Sequence, residues 1–178
     1  MPNEKKYDRA TQDVGNIIGM EHVNVTVPDQ SIASTFYISG LGFTRDPYMM
    51  VGPGNMWVNV GQQQFHLPAN DPQVFRGHIG VVVPDLEMLQ TRLGRVQKRL
   101  ANTAFRWSAK RGHVAVTCPW GNQLRCYAPS LQFGNMTLGL PYIEMPVRPR
   151  TARGICQFYQ EVMQTPATVI QEKGTAIA

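Results

Sequence analysis

Three of the four histidines in this chain stand where a metal or a proton could be handled, and two of them repeat. The stretch "HVNVTVPD", residues 22–29, returns as "HIGVVVPD", residues 78–85, so His22 and His78 each open an alternating apolar run that closes on Pro-Asp. His66 lies in "QQFHLPAN", where it alternates with Gln64 against Phe65 and Leu67. Neutral imidazoles bind divalent metals and titrate near pH 7, so histidines placed alike in duplicated strands are candidates for either task. His113 precedes a strand, matches no repeat position and is expected at the surface.

The other candidates come from strand alternation. Arg125 shares a face with Gln123 and Tyr127 while Leu124 and Cys126 oppose them, and Asn24 shares the face of His22. Trp57 and Asn59 alternate along "MWVNV", where they suit the floor of a site, although a tryptophan in a central strand also suits the core. Arg125 cannot ligate a cation but can pair with an anionic substrate. Cys118, Cys126 and Cys156 lack CxxC spacing, which argues against a disulfide framework or a zinc knuckle. No P-loop, GxGxxG or Ser-His-Asp ordering supports nucleotide or acyl chemistry.

The elements that must position these residues recur as a unit. After Asp29, "QSIASTFYISGLGF" predicts a helix, and after Asp85, "LEMLQTRLGRVQKRL" sets Leu86, Leu89, Leu93, Val96 and Leu100 on one helical stripe. Each aspartate is placed to cap the helix that follows it. Strands are predicted at 56–61 and 63–68 with a third near 44–51, and then at 105–109, 113–118 and 123–129. A weaker third copy lays "EMPVRPRTARGICQFYQEV" on residues 22–40, with Glu144 at the position of His22 and Phe158-Tyr159 on Phe36-Tyr37. The chain then enters "ATVIQEKGTAIA", the start of a hairpin, so it is expected to be part of a longer protein with further modules.

Composition excludes some partners. A formal charge of +5 from 17 Lys and Arg against 12 Asp and Glu is scattered rather than massed, which suits a solvated face or an anionic ligand and not nucleic acid. No apolar run reaches the length of a membrane span, and the cysteine usage suits a reducing cytosol, so a cytoplasmic location is expected.

The repeated strand, helix and three strands, the His-led first strands, Phe36-Tyr37 followed by "GLGF", and the closing "PWGNQLRCYAP" resemble the vicinal oxygen chelate superfamily. That superfamily includes glyoxalases, extradiol dioxygenases, fosfomycin-resistance transferases and bleomycin-binding proteins. The resemblance implies an α+β fold of paired βαβββ modules forming a cup-shaped mixed sheet. It implies module bounds of 17–72 and 73–131, after a flexible leader at 1–16 and before a linker and incomplete third module at 132–178. Its metal positions fall on His22, His66 and His78, with Arg125 where a glutamate is expected. Two readings stay open. One is a lyase, isomerase or dioxygenase using a divalent ion such as iron, manganese, zinc or nickel, with Arg125, Asn24, Trp57, Asn59 and Tyr127 toward the substrate. The other is a metal-free pocket that binds a small oxygen-rich or anionic molecule, or the structural half of a longer four-module enzyme. A homodimer, or pairing with further C-terminal modules, is expected to cover the open sheet edge.

Overall fold

The computed structural model of the chain describes residue 17 and residues 19–49, 52, 54–172 and 174–178. The expected leader at 1–16 and part of the expected strand at 44–51 lie outside these residues. The chain divides into two compact units, one of them Met20–Met145 and the other including Pro146–Ala178.

Within Met20–Met145, β1 (His22–Asn24) leads through Pro28-Asp29 into α1 (Gln30–Ala33), which widens into a π-helical segment over Ser34–Gly40. Asp29 caps this helix, its carboxylate accepting from the backbone N–H groups of Ser31 and Ile32 at 2.7 and 2.9 Å. Two of the orphan donors of the first turn are thereby satisfied. Gly42, at φ +79°, turns the chain out of the helix in a conformation that a side chain would strain. β2 (Thr44–Arg45), β3 (Asn55–Val60) and β4 (Gln63–Pro68) complete a four-stranded sheet in the order β1-β4-β3-β2. β1 runs parallel to β4, and the other pairs are antiparallel.

The second set repeats this plan. β5 (His78–Val82) leads to α2 (Leu86–Val96), capped by Asp85 through the N–H groups of Glu87 and Met88 at 2.8 and 2.9 Å. β6 (Arg106–Lys110), β7 (His113–Thr117) and β8 (Gln123–Tyr127) follow. β5 runs parallel to β8, as β1 does to β4. Here a fifth strand is added: β9 (Ile143–Glu144) lies antiparallel on β5 and gives the order β6-β7-β8-β5-β9.

The helices cover the apolar faces of the strands. Val23, Val25, Val58, Val60, Phe65 and Leu67 from the first set and Ile79, Val81, Val114, Val116, Leu124 and Cys126 from the second join one core with Phe36, Tyr37, Leu89 and Leu93. The aromatic centre is built from Phe36 against Tyr37 at 4.9 Å and against Phe105 at 5.8 Å, with Tyr37 against Phe65 at 5.1 Å. Each such fully buried side chain contributes roughly 1.5–3 kcal/mol by leaving water. The alternation that buries these residues turns the intervening polar ones to the opposite face of each sheet.

In the unit that includes Pro146–Ala178, α3 (Ala152–Gln157) continues as a π-helical turn over Phe158–Val162. An antiparallel hairpin of β10 (Ile170–Glu172) and β11 (Thr175–Ile177) follows. Among the described residues no helix is long and apolar enough to cross a membrane.

Candidate binding site

The polar face of the first sheet is laid out in rows by the strand register. Asn24, His66 and Trp57 are aligned across β1, β4 and β3, and His22, Gln64 and Asn59 form the next row. His66 is held on all sides. Its Nδ1 bonds the Asn24 amide nitrogen at 3.1 Å, its Nε2 bonds Asn55 Oδ1, and the Trp57 ring stacks on it at 4.0 Å with an interplanar angle of 13°. His22 stands 5.2 Å from the Trp57 ring and 6.2 Å from the His66 ring, with its Nδ1 on the Glu21 carboxylate. Gln64 donates to Asn59 Oδ1 at 2.7 Å and to Asp46 Oδ2 at 3.0 Å. Burial, and then the neighbouring His22, holds the His66 pKa below its usual value. Both faces of its hydrogen-bonding capacity are therefore used by asparagines while the ring is neutral.

His78 belongs to a different neighbourhood. Its side chain is 7% exposed, and its Nε2 lies 3.2 Å from the Tyr142 hydroxyl and 3.5 Å from Glu144 Oε2. Burial, then the charge of Arg125, lowers its pKa, against an opposing pull from Glu144. The three histidines are thus divided between two sheets. Among the described residues no three His, Cys, Asp or Glu side chains come together so as to hold a metal ion. With both nitrogens of His66 committed to Asn24 and Asn55 and Nε2 of His78 facing Tyr142 and Glu144, these donors do not fit a metal shell.

On the second sheet Arg125 occupies the position that His66 holds on the first. Its row runs Ser108, Ala115, Arg125, Gly80, and then Tyr142, whose carbonyl accepts from the Gly80 N–H at 2.9 Å. The side chains flanking Arg125 are a methyl group and a hydrogen atom. Into the space over Gly80 falls the Tyr142 ring, and a Cβ built on Gly80 would collide with it. The Tyr142 hydroxyl reaches the Tyr127 hydroxyl at 2.8 Å, and the Tyr127 ring rests near His113 at 5.5 Å and Phe133 at 5.1 Å. Burial, then the hydrogen bond to Tyr127, pushes the Tyr142 phenol well above its ordinary pKa.

On the same sheet a depression of about 270 Å³ is lined by Arg106, Trp107, Ser108, Ala115, Thr117 and Gln123, of which Ala115 pairs with Arg125 across the sheet and Gln123 lies two residues before it on β8. The ion pairs among the described residues join His22 to Glu21 and His78 to Glu144, and Arg125 is in neither. A larger cleft of about 460 Å³ runs past the outer edge of β1, where His22 and Asn24 meet Phe75, Ile143 and Met145. Its walls are mostly apolar, and His22 is the only titratable side chain among them.

Of the residues expected from the sequence, the fold brings His22, Asn24, Trp57, Asn59 and His66 to one polar face. It brings His78, Arg125 and Tyr127 to the other. Glu144 is 56% exposed and faces His78. The sequence reading missed Tyr142, Asn55 and the empty position at Gly80. Leu140, Tyr142 and Glu144 do alternate in "LGLPYIEMP", but the glycine and prolines there mask the strand.

Comparison with known proteins agrees with this architecture. No family model matches the chain, and no curated protein sequence matches it. Solved structures do. A Bacillus subtilis protein that carries the name of a dioxygenase superposes at TM-score 0.51 and 15% identity, over 89% of this chain and 62% of its own. A genomically encoded fosfomycin resistance protein from Listeria monocytogenes superposes at TM-score 0.50 and 12% identity, over 65% of this chain and 94% of its own. A glyoxalase family protein from Bacillus anthracis matches at TM-score 0.46 and 20% identity, over 63% and 95%.

Proposed function

We propose that this chain, which has the fold of the vicinal oxygen chelate superfamily, is a binding module for a small anionic, oxygen-rich molecule and works without a metal. The observation that carries the reading is Arg125. Arg125 is exposed, lies in register between Ala115 and Gly80, and is in no ion pair among the described residues, while Arg106 lines a depression that reaches its neighbours Ala115 and Gln123. Anions are recognised by such planar donors, and two guanidinium groups on one face supply the charge that a neutral pocket lacks. Thr117 and Gln123, joined by a 3.1 Å hydrogen bond, offer polar contacts on the floor. On the other sheet Asn24 and Asn55 take both ring nitrogens of His66, which leaves it without a free lone pair for a cation, and Nδ1 of His22 lies on Glu21.

The test is a calorimetric titration of the purified protein with acetate, phosphate and sulfate, beside reconstitution with iron, manganese, zinc and nickel. Anion binding that disappears in Arg125→Gln is expected, with no stoichiometric metal. Stoichiometric metal that is lost in a His22→Ala, His66→Ala double variant would overturn the reading.

A further inference from the structure

Resting on that reading, we propose that the anionic group taken at Arg125 is a carboxylate, and that Tyr127 donates to it a hydrogen bond whose direction is set by Glu144, His78 and Tyr142. β9 lies outside the two duplicated units that supply the other strands of the sheets. Yet this strand brings both Glu144 and Tyr142 to the edge of β5, and the absence of a side chain at Gly80 lets the Tyr142 ring cross that strand toward Tyr127 on β8.

The direction follows from what each atom can do. A carboxylate only accepts, so Glu144 at 3.5 Å favours a hydrogen on Nε2 of His78. That N–H also points at the Tyr142 oxygen, 3.2 Å away. With its oxygen accepting from His78, Tyr142 turns its own hydrogen to the Tyr127 oxygen at 2.8 Å. Tyr127 then has its hydrogen free on the polar face that it shares with Arg125, two residues along the same strand. Chains polarised in one sense strengthen each successive donor. The lowered pKa of His78 and the raised pKa of Tyr142 keep one proton on each link. Packing against His113 and Phe133 fixes the Tyr127 ring.

Arg125 and Tyr127 together present donors alone. A planar bidentate acceptor suits the guanidinium fork, and its second lone pair suits the added phenol. An amide, which carries its own N–H groups, would meet the Tyr127 donor with one acceptor and Arg125 with a clash of donors. The selective ligand is therefore an organic carboxylate and not its amide.

The experiment is a titration of the intact chain with acetate, acetamide and inorganic phosphate, for the wild type, Tyr127→Phe, Tyr142→Phe, the double variant and Arg125→Gln. Tyr142→Phe keeps the ring over Gly80, so the fold is retained. Acetate is expected to bind in preference to acetamide and phosphate. Tyr127→Phe is expected to weaken acetate by roughly ten- to a hundredfold, the range for a hydrogen bond to a charged acceptor. Tyr142→Phe should weaken acetate by a smaller factor, and should have no further effect once Tyr127 is phenylalanine, because it acts only through that donor. Equal binding of acetamide, tighter binding of phosphate, or additive effects of the two substitutions would each overturn this inference. Acetate binding that survives in Arg125→Gln would instead remove the proposed function beneath it.

Discussion

The two sheets of the Met20–Met145 unit place equivalent rows on their polar faces and fill them in opposite ways. On the first, the row is Asn24, His66 and Trp57; on the second it is Gly80, Arg125 and Ala115. A repeat interval equal to the separation of His22 and His78 lays Asn24 on Gly80. In the first row an amide and an indole clamp the central side chain, so its capacity for interaction is used within the protein. In the second the row neighbours Ala115 and Gly80 are too small to clamp Arg125, the Tyr142 ring stands over Gly80 instead, and Arg125 is in no ion pair among the described residues. The row beside them does not differ in this way: Gln64 bonds Asn59 as Gln123 bonds Thr117. Duplicated modules thus keep one cross-strand pair and diverge in the row beside it, where the proposed anion site lies.

This contrast can be broken by exchange. Gly80→Asn should convert the second row toward the first, and it carries the largest expected effect. The new side chain displaces the Tyr142 ring, which should cost about 1–3 kcal/mol as overpacking does. Denaturant unfolding would show that loss, and titration would show acetate binding abolished. Next, His66→Ala leaves Asn24 and Asn55 without their partner and removes the ring under Trp57. A stability loss of about 1–2 kcal/mol is expected, with anion binding intact, and weaker anion binding would contradict the division of labour between the faces.

The pH dependence is expected to be gentler. The pKa values of His66 and His78 are both lowered in the folded chain, so the unfolded chain binds more protons at mildly acid pH. Stability should be fully present above the unfolded value of about 6.5 and should fall as pH drops through it toward the lowered folded values. Equilibrium unfolding across that window should show the slope reduced in His66→Gln and in His78→Gln. The smallest effect belongs to Arg125→Gln, which should change stability by no more than about 0.5 kcal/mol, as surface substitutions commonly do. A large loss would mean that Arg125 is structural.

Much of the fold was legible because its signals are local. Asp29 and Asp85 cap the helices they precede, Leu89 and Leu93 are buried on the predicted stripe, and Phe65, Leu67, Leu124 and Cys126 alternate inward as the period of two requires. The π-helical widening after Ala33 was not legible, since it depends on how Phe36 and Tyr37 both find the core. Strand alternation put Asn24, His66, Arg125 and Tyr127 on polar faces, but neither their grouping nor the parts played by Tyr142 and Asn55 were legible. His22, His66 and His78 invite a single constellation when read in line, and the fold assigns His78 to Tyr142 and Glu144 instead.

The sequence by itself determined the duplicated strand-helix-strand plan, because hydrophobic period and capping residues act over a few positions. It also determined which face is the more polar in β3, β4 and β8. Tertiary structure decided what stands beside each polar residue, because strand register and the antiparallel arrival of β9 join residues far apart in the chain. Only that arrival puts the Tyr142 ring over Gly80, and only register sets Arg125 between two side chains too small to hold it.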